Sequence, residues 1–144
     1  MIRKRFEKDE YKKYDHFAKH AVMQHLQIQG YKVKDKEDYR SDLVVEDNKG
    51  EVSFHEVEVK KGWTGDWPKP WKSVHIPKRK SKLWLNILPS KVHFWVCRID
   101  GHYAWYLNGK IVSESELVEV KNYKIPKGEY FFDVDVTKCG LMHL

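Results

Sequence analysis

The stretch Ser41-Asp42-Leu43-Val44-Val45-Glu46-Asp47-Asn48-Lys49-Gly50-Glu51-Val52-Ser53-Phe54-His55-Glu56-Val57-Glu58-Val59-Lys60 decides how this chain folds. Its second half alternates, so that Val57 and Val59 fall on one side of an extended strand while Glu56, Glu58 and Lys60 fall on the other. Its first half, Ser41 to Glu46, is a second strand candidate, and Asp47-Asn48-Lys49-Gly50 is a turn signal between the two. The whole predicts a hairpin. Loop length then sets which residues meet. A two-residue loop at Asn48-Lys49 places Asp42 opposite His55 and leaves it on the face away from Glu58. A three-residue loop, with Gly50 in the left-handed conformation of a bulge, places Asp47 opposite Glu51 and Asp42 opposite Glu56. The second register gathers the carboxylates without a further irregularity and is the one expected.

An acid followed one hairpin later by acid-x-lysine suits metal-assisted phosphodiester cleavage. Magnesium, for which manganese commonly substitutes, takes oxygen ligands from one or two carboxylates and completes its octahedron with water and substrate phosphate. Asp42 and Glu58 fit that role, with the Val59 carbonyl as a further ligand. Lys60, an ammonium beside two carboxylates, stays protonated and is expected to orient the attacking water and stabilise charge rather than act as a general base. Glu56 is an auxiliary candidate, as ligand or as plain surface charge. A charged, solvated hairpin is the competing reading of the same residues, since Glu-x-Lys is common on exposed strands.

Around the hairpin, Tyr14, Phe17, Ala18, Ala21, Val22, His25 and Ile28 recur at helical spacing, predicting a helix over 6–29 that Gly30 terminates. Tyr31 to Lys36 is a short strand candidate. After a loop rich in proline and tryptophan, Pro77 and Pro89 bracket an apolar stripe of Leu83, Trp84, Ile87 and Leu88, predicting a second helix. Val92 to Ile99 reads as a strand, turned by Asp100-Gly101 into another over His102 to Leu107 that Asn108-Gly109 ends. Beyond it, further strands are expected, with a helical turn near Ser113 to Glu116 and a turn at Lys127-Gly128.

The chain carries a formal charge of +6, and 61–82 holds seven lysines or arginines against one acid, Asp66. That imbalance points to a polyanion. Lys61, Lys69, Lys72, Lys78, Arg79, Lys80 and Lys82 are candidate phosphate contacts, and Trp63, Trp67 and Trp71 among them offer rings for stacking on bases. Tryptophans beside prolines also pin loops onto a core, and both readings stay open. His75, between the hairpin and the second helix, is an auxiliary candidate near the scissile phosphate. His16 and His20, one helical turn apart with His25 nearby, lack the cysteine pair or His-Glu-x-x-His pattern of a zinc site. Cys97 and Cys139 make neither a disulfide framework nor a metal set. No apolar run approaches a membrane span, and the first residues lack the hydrophobic segment of a signal peptide, so a cytoplasmic location is expected.

On Asp42, Glu58-Val59-Lys60 and the order of elements around them, the chain resembles the PD-(D/E)XK nuclease superfamily. With Gly30-Tyr31-Lys32-Val33 and Ser41-Asp42-Leu43 it looks most like the archaeal Holliday-junction-resolvase branch and related small nucleases. The resemblance covers residues 11–99 and implies a restriction-endonuclease-like α/β core of helix, three strands, helix and strand, with a mixed sheet flanked by helices. A β extension over 100–144 would complete a single nuclease domain, 1–144. It implies magnesium-dependent endonuclease action on DNA, less often RNA, structure-selective rather than sequence-specific because no separate recognition domain fits in the chain. Relatives often carry an acid on the first helix; the aligned position here is Lys19, and Glu10 or Asp15 are the candidates to replace it. Junction resolution would further require a homodimer. A binding or adaptor module that keeps the fold and the basic loop without cutting is the alternative.

Overall fold

The computed structural model describes residues 2–35, 41–123 and 125–144, with side chains from residue 13 onward except that of residue 35. The first helix, α1, spans Ile2–Ile28. Ala18, Val22 and Leu26, each one turn further along, form its buried stripe. It stops where Gly30 turns to φ +93°, and the Tyr31 N–H bonds back to the Leu26 carbonyl at 3.1 Å.

Among the described residues, nine strands form two sheets. They are β1 (Lys32–Asp35), β2 (Leu43–Glu46), β3 (Val52–Lys60), β4 (Ser73–Pro77), β5 (Val92–Arg98), β6 (Tyr103–Asn108), β7 (Glu116–Val120), β8 (Glu129–Asp135) and β9 (Gly140–His143). The larger sheet runs β1-β2-β3-β5-β6-β9 and is mixed, with β3 and β5 parallel and every other neighbouring pair antiparallel. The smaller, β4-β8-β7, is antiparallel. The architecture is therefore α/β with a mixed central sheet. End positions fall within a residue or two of the expected strands, Lys36 lying outside the described residues.

The layers follow from alternation along β5. Trp95 and Cys97 meet Ala18, Val22 and Leu26 of α1, together with Leu43, Val45 and Ala104. Val92, Phe94 and Val96 point the other way, against Val74, Ile76, Phe132 and Val134 of the smaller sheet. A strand covered on both faces reads as a continuous apolar run, which is why β5 was legible. Burying a side chain such as Phe94, 1% exposed, stabilises the fold by about 1.5–3 kcal/mol.

The expected second helix is corrected. β4 ends at Pro77, a 3-10 helix follows over Lys78–Trp84 and a shorter one over Pro89–Lys91. No acid lies in the first turn of the longer piece and no side chain caps it. In an α-helix Lys82 would stand beside both Lys78 and Arg79, where like charges repel. Of the stripe, Leu83 is buried, but Ile87 and Leu88 are 36% and 67% exposed, so packing does not rescue an α-helix. The second flanking layer is a sheet instead. A short α-helix, α2, spans Gly109–Ser113, a few residues earlier than the expected turn, because the Asn108 side chain accepts from the Lys110 N–H and caps it.

Candidate active site

The β2–β3 hairpin adopts the bulged register. Leu43 pairs with His55 and Glu46 with Val52, Asp47 N–H bonds to the Glu51 carbonyl at 2.9 Å, and Gly50 sits at φ +79°. The Asp47 carboxylate holds the loop by accepting from the Lys49 and Glu51 N–H groups. Extending the register by one residue brings Asp42 to Glu56, and the two interlock. Asp42 N–H donates to Glu56 Oε2 at 3.0 Å, and Val57 N–H donates to Asp42 Oδ2 at 2.9 Å. Because β2 begins only at Leu43, the Asp42 carboxylate takes over as hydrogen-bond acceptor at the edge of β3 where the pairing strand ends.

Glu56 and Glu58 pair with Phe94 and Val96 across the parallel β3–β5 ladder, so they share the face that looks toward the smaller sheet. Glu56 is 5% exposed. Burial pushes its carboxyl up to about 7, reinforced by the charge and hydrogen bond of Asp42 and partly offset by Lys80. Lys80, from the 3-10 helix, donates to Glu56 Oε1 at 2.9 Å. Burial by itself would lower that ammonium, but Glu56, with Glu58 and Asp42 behind it, holds it above its ordinary value. Glu58 is also raised, by burial first; Lys80 and Arg79 pull against that, while Asp42 and Asp15 add to it. The hydrogen bonds found among the described residues leave the Glu58 carboxylate without a partner. Asp15 reaches this cluster from α1: burial and the Asp42 charge raise it, while Lys61 opposes.

The site thus brings together Asp42, Glu56, Glu58, Asp15 and Lys80. One of these roles, that of Lys80, differs from the sequence expectation. Asp15, one of the two acids expected to replace the aligned Lys19, is the described helix acid whose charge acts on Asp42; the Glu10 side chain lies outside the described residues. Asp15 falls on one helical stripe with Ala18 and Val22, the stripe that meets the sheet, which is what carries it toward Asp42. Lys80 was grouped with the phosphate-contacting cations, and nothing in its spacing marks it as the ammonium bonded to a site carboxylate. Lys60 lies on the Glu58 face by alternation, exposed, with its ammonium 5.2 Å from the Trp71 ring centroid.

Beside the carboxylates opens a cleft of about 590 Å³ that Glu58, Val59, Lys60, Trp71, His75 and Asp133 help to line. His75 is on β4 rather than a loop, and its Nε2 lies 2.7 Å from Asp133 Oδ1 of β8. Trp67 and Trp71 border the same cleft, but Trp63 is 2% exposed and stacked at 6.3 Å on Trp105. Trp67 stands edge-on to Trp63 and Trp71, each at 5.1 Å, and its indole N–H donates to the Trp71 carbonyl. Trp63 is therefore corrected from a base-stacking to a core residue, pinning the loop as prolines and tryptophans commonly do. Lys69, Lys72, Lys78, Arg79 and Lys82 are exposed; Arg79 is paired to Glu129 at 2.7 Å, and Lys78 lies over Tyr130.

Among the described residues, no three His, Cys, Asp or Glu side chains are grouped closely enough to hold a metal ion by themselves. The donor set that is present, an anchored Asp42 beside a desolvated Glu58 carboxylate, fits a hard cation that draws one or two ligands from protein and the rest from water and phosphate. No described helix is long and apolar enough to cross a membrane. Comparison with protein-family models, with curated proteins and with solved structures returned no match to this chain.

Proposed function

We propose that this protein is a magnesium-dependent endonuclease of the restriction-endonuclease-like PD-(D/E)XK type, cutting DNA with a preference for junctions, flaps or single strands. The observation that carries the reading is the convergence of Asp42, Glu58, Glu56 and Asp15 on the open edge of β3, with Lys80 bonded into the cluster. Four carboxyl groups whose charges interact, three of them raised above their ordinary values, are an expensive arrangement for stability alone, and perturbed acids of this kind concentrate at functional sites.

Asp42 and Glu58, with the Val59 carbonyl, would hold the magnesium ion. Bound there, the ion supplies an acidified water and neutralises charge on the phosphoryl oxygens. The protein's own groups do the rest. The Val57 N–H fixes one oxygen of the Asp42 carboxylate, holding the side chain in place beside Glu56. Lys80 keeps Glu56 in place and brings positive charge to the side of the cluster opposite Asp42 N–H. Lys60, lining the same cleft with its ammonium over Trp71, is placed to meet a phosphate or the attacking water. The exposed cations of 69–82 hold the backbone, so binding weakens steeply with salt. A cytoplasmic location, a homodimer for junction cutting, and RNA as a second polymer for the same chemistry belong to this proposal.

A second reading, a binding or adaptor module, is favoured by one observation: the Lys80–Glu56 ion pair already neutralises part of the acidic cluster without any cation. The two are separated by incubating duplex, single-stranded, flap and four-way-junction DNA, and RNA, with and without magnesium. Glu58→Gln, Lys60→Met and Lys80→Met are compared with wild type. Magnesium-dependent cleavage lost in Glu58→Gln supports the nuclease; metal-independent binding with no cleavage by the wild type supports the module.

A further inference from the structure

The face of the large sheet toward α1 holds a second cavity, of about 310 Å³, that the proposed chemistry does not use. It opens where α1 ends, between His25, Gln29 and Tyr31 on one side and Ser53, His93 and Tyr106 on the other. Three residues along β3 separate His55, on its wall, from Glu58. That is about 10 Å at 3.3 Å per residue, and the two side chains point to opposite faces of the sheet. An occupant of this cavity is therefore not the nucleotide being cut.

Its wall is polar where the neighbouring sheet face is apolar. Val57, Val59, Trp95 and Cys97 pack against α1, but the next positions back along the strands are Ser53, His55 and His93. The rings of His55 and His93 stack at 4.4 Å and 17°, and His93 stacks on Tyr106 at 5.6 Å and 22°. The Trp95 indole N–H donates to His55 Nδ1 at 2.9 Å, which leaves His55 Nε2 as the atom carrying the proton toward Ser53 Oγ at 3.0 Å. The Ser53 hydroxyl then has its own hydrogen to give onward. His93 Nδ1 is bonded to the Tyr106 hydroxyl; no described residue bonds its Nε2.

These groups fix the chemistry of the ligand. Both imidazoles are held neutral, burial pushing His55 down to about 3, with help from His93, and His93 down to about 4, with help from Lys91. The charged side chains sit at the rim, where Lys91 lies 3.5 Å from Glu51 and Asp47 Oδ1 accepts from two backbone N–H groups. The inner wall, formed by Ser53, His55, His93 and Tyr106, carries no charge to hold a phosphate or a cation. What remains are ring faces and edges together with a row of neutral donors and acceptors, in a volume at the lower limit of small-ligand pockets. We propose that the cavity between the end of α1 and the His55–His93–Tyr106 stack binds a single uncharged planar heterocycle, a nucleobase, taken either from a free nucleoside or from an unpaired position of a nucleic-acid strand.

The test is made in EDTA, so that no cleavage occurs and failure of the nuclease reading leaves it intact. The imidazole NMR resonances of His55 and His93 are followed while adenosine, guanosine, cytidine, uridine or thymidine is titrated in, and then a short single-stranded oligonucleotide and its abasic counterpart. Two variants accompany the wild type. Gln29→Trp, at an exposed helix end, blocks the mouth without entering the buried network, and Tyr106→Phe removes one hydroxyl. Saturable shifts with a nucleoside, weakened about tenfold by Tyr106→Phe and abolished by Gln29→Trp, identify a free-nucleoside site. Shifts with the base-bearing oligonucleotide alone, absent with its abasic form, identify a strand-base site. Absence of shifts in both arms, or shifts unchanged in Gln29→Trp, overturns the proposal.

Discussion

Replacing Glu56 by glutamine gives the sharpest test of the carboxylate cluster, because it keeps the side chain's shape and removes its charge. Glu56 rises from an ordinary value of 4.5 to about 7 in the folded protein, through burial first and then Asp42. A carboxyl raised on folding holds its proton more tightly in the native state. Its contribution to stability is therefore fully present below 4.5, is lost progressively as pH climbs toward 7, and is constant above that. At about 1.4 kcal/mol per pH unit the loss amounts to ~3 kcal/mol. Glutamine does not titrate, so Glu56→Gln should be close to wild type near pH 4.5 and gain on it by ~3 kcal/mol by pH 8. Urea unfolding of both proteins at half-unit steps from pH 4.5 to 8 measures the difference directly. If the two curves stay parallel across that window, Glu56 is not a buried acid crowded by Asp42, and the geometry proposed for the site is wrong.

Lys80→Met should destabilise the protein in a pH-dependent way: by ~3 kcal/mol at pH 8, where ionised Glu56 loses its partner, and by much less at pH 5, where Glu56 is protonated, as read by the same unfolding series. His93→Phe tests the opposite sign. A histidine lowered to about 4 in the folded state supports stability above its unfolded value near 6.5 and loses that support as pH falls from 6.5 to 4. At pH 5 the loss is ~2 kcal/mol, and the phenylalanine variant, whatever its stability at pH 8, should show that much less acid destabilisation. Gly109→Ala should fail to fold or lose several kcal/mol by thermal melting, since a Cβ there would lie 2.3 Å from the Pro89 carbonyl oxygen and 2.7 Å from that of Val92.

The parts of the fold legible in the sequence are those fixed by short-range rules. The three-residue loop closed by Gly50 determines the β2–β3 register, and with it the meeting of Asp42 and Glu56. The unbroken apolar run of β5 follows from burial on both faces. What failed depended on distant partners. Val74 and Ile76 alternate as a strand should, yet they read as loop because their pairing strand, β8, lies some sixty residues on. The stripe from Leu83 to Leu88 has helical spacing, but the cations before it and the absence of a covering layer leave it as 3-10 turns. Lys80 enters the site only because β4 and that 3-10 helix carry it over Glu56. The neutral histidine stack was invisible for the same reason, since His55, His93 and Tyr106 come from three different strands.

The central claim is that the open edge of β3 cuts phosphodiesters, and single-turnover cleavage in magnesium by wild type and Asp42→Asn tests it most directly, with binding to the same end-labelled substrates measured alongside. The account predicts cleavage of at least one DNA structure by the wild type and a loss of about 100-fold or more in Asp42→Asn, by analogy with removing one group that stabilises transition-state charge, while affinity is retained. No cleavage by the wild type, or equal rates for the two proteins, would contradict it.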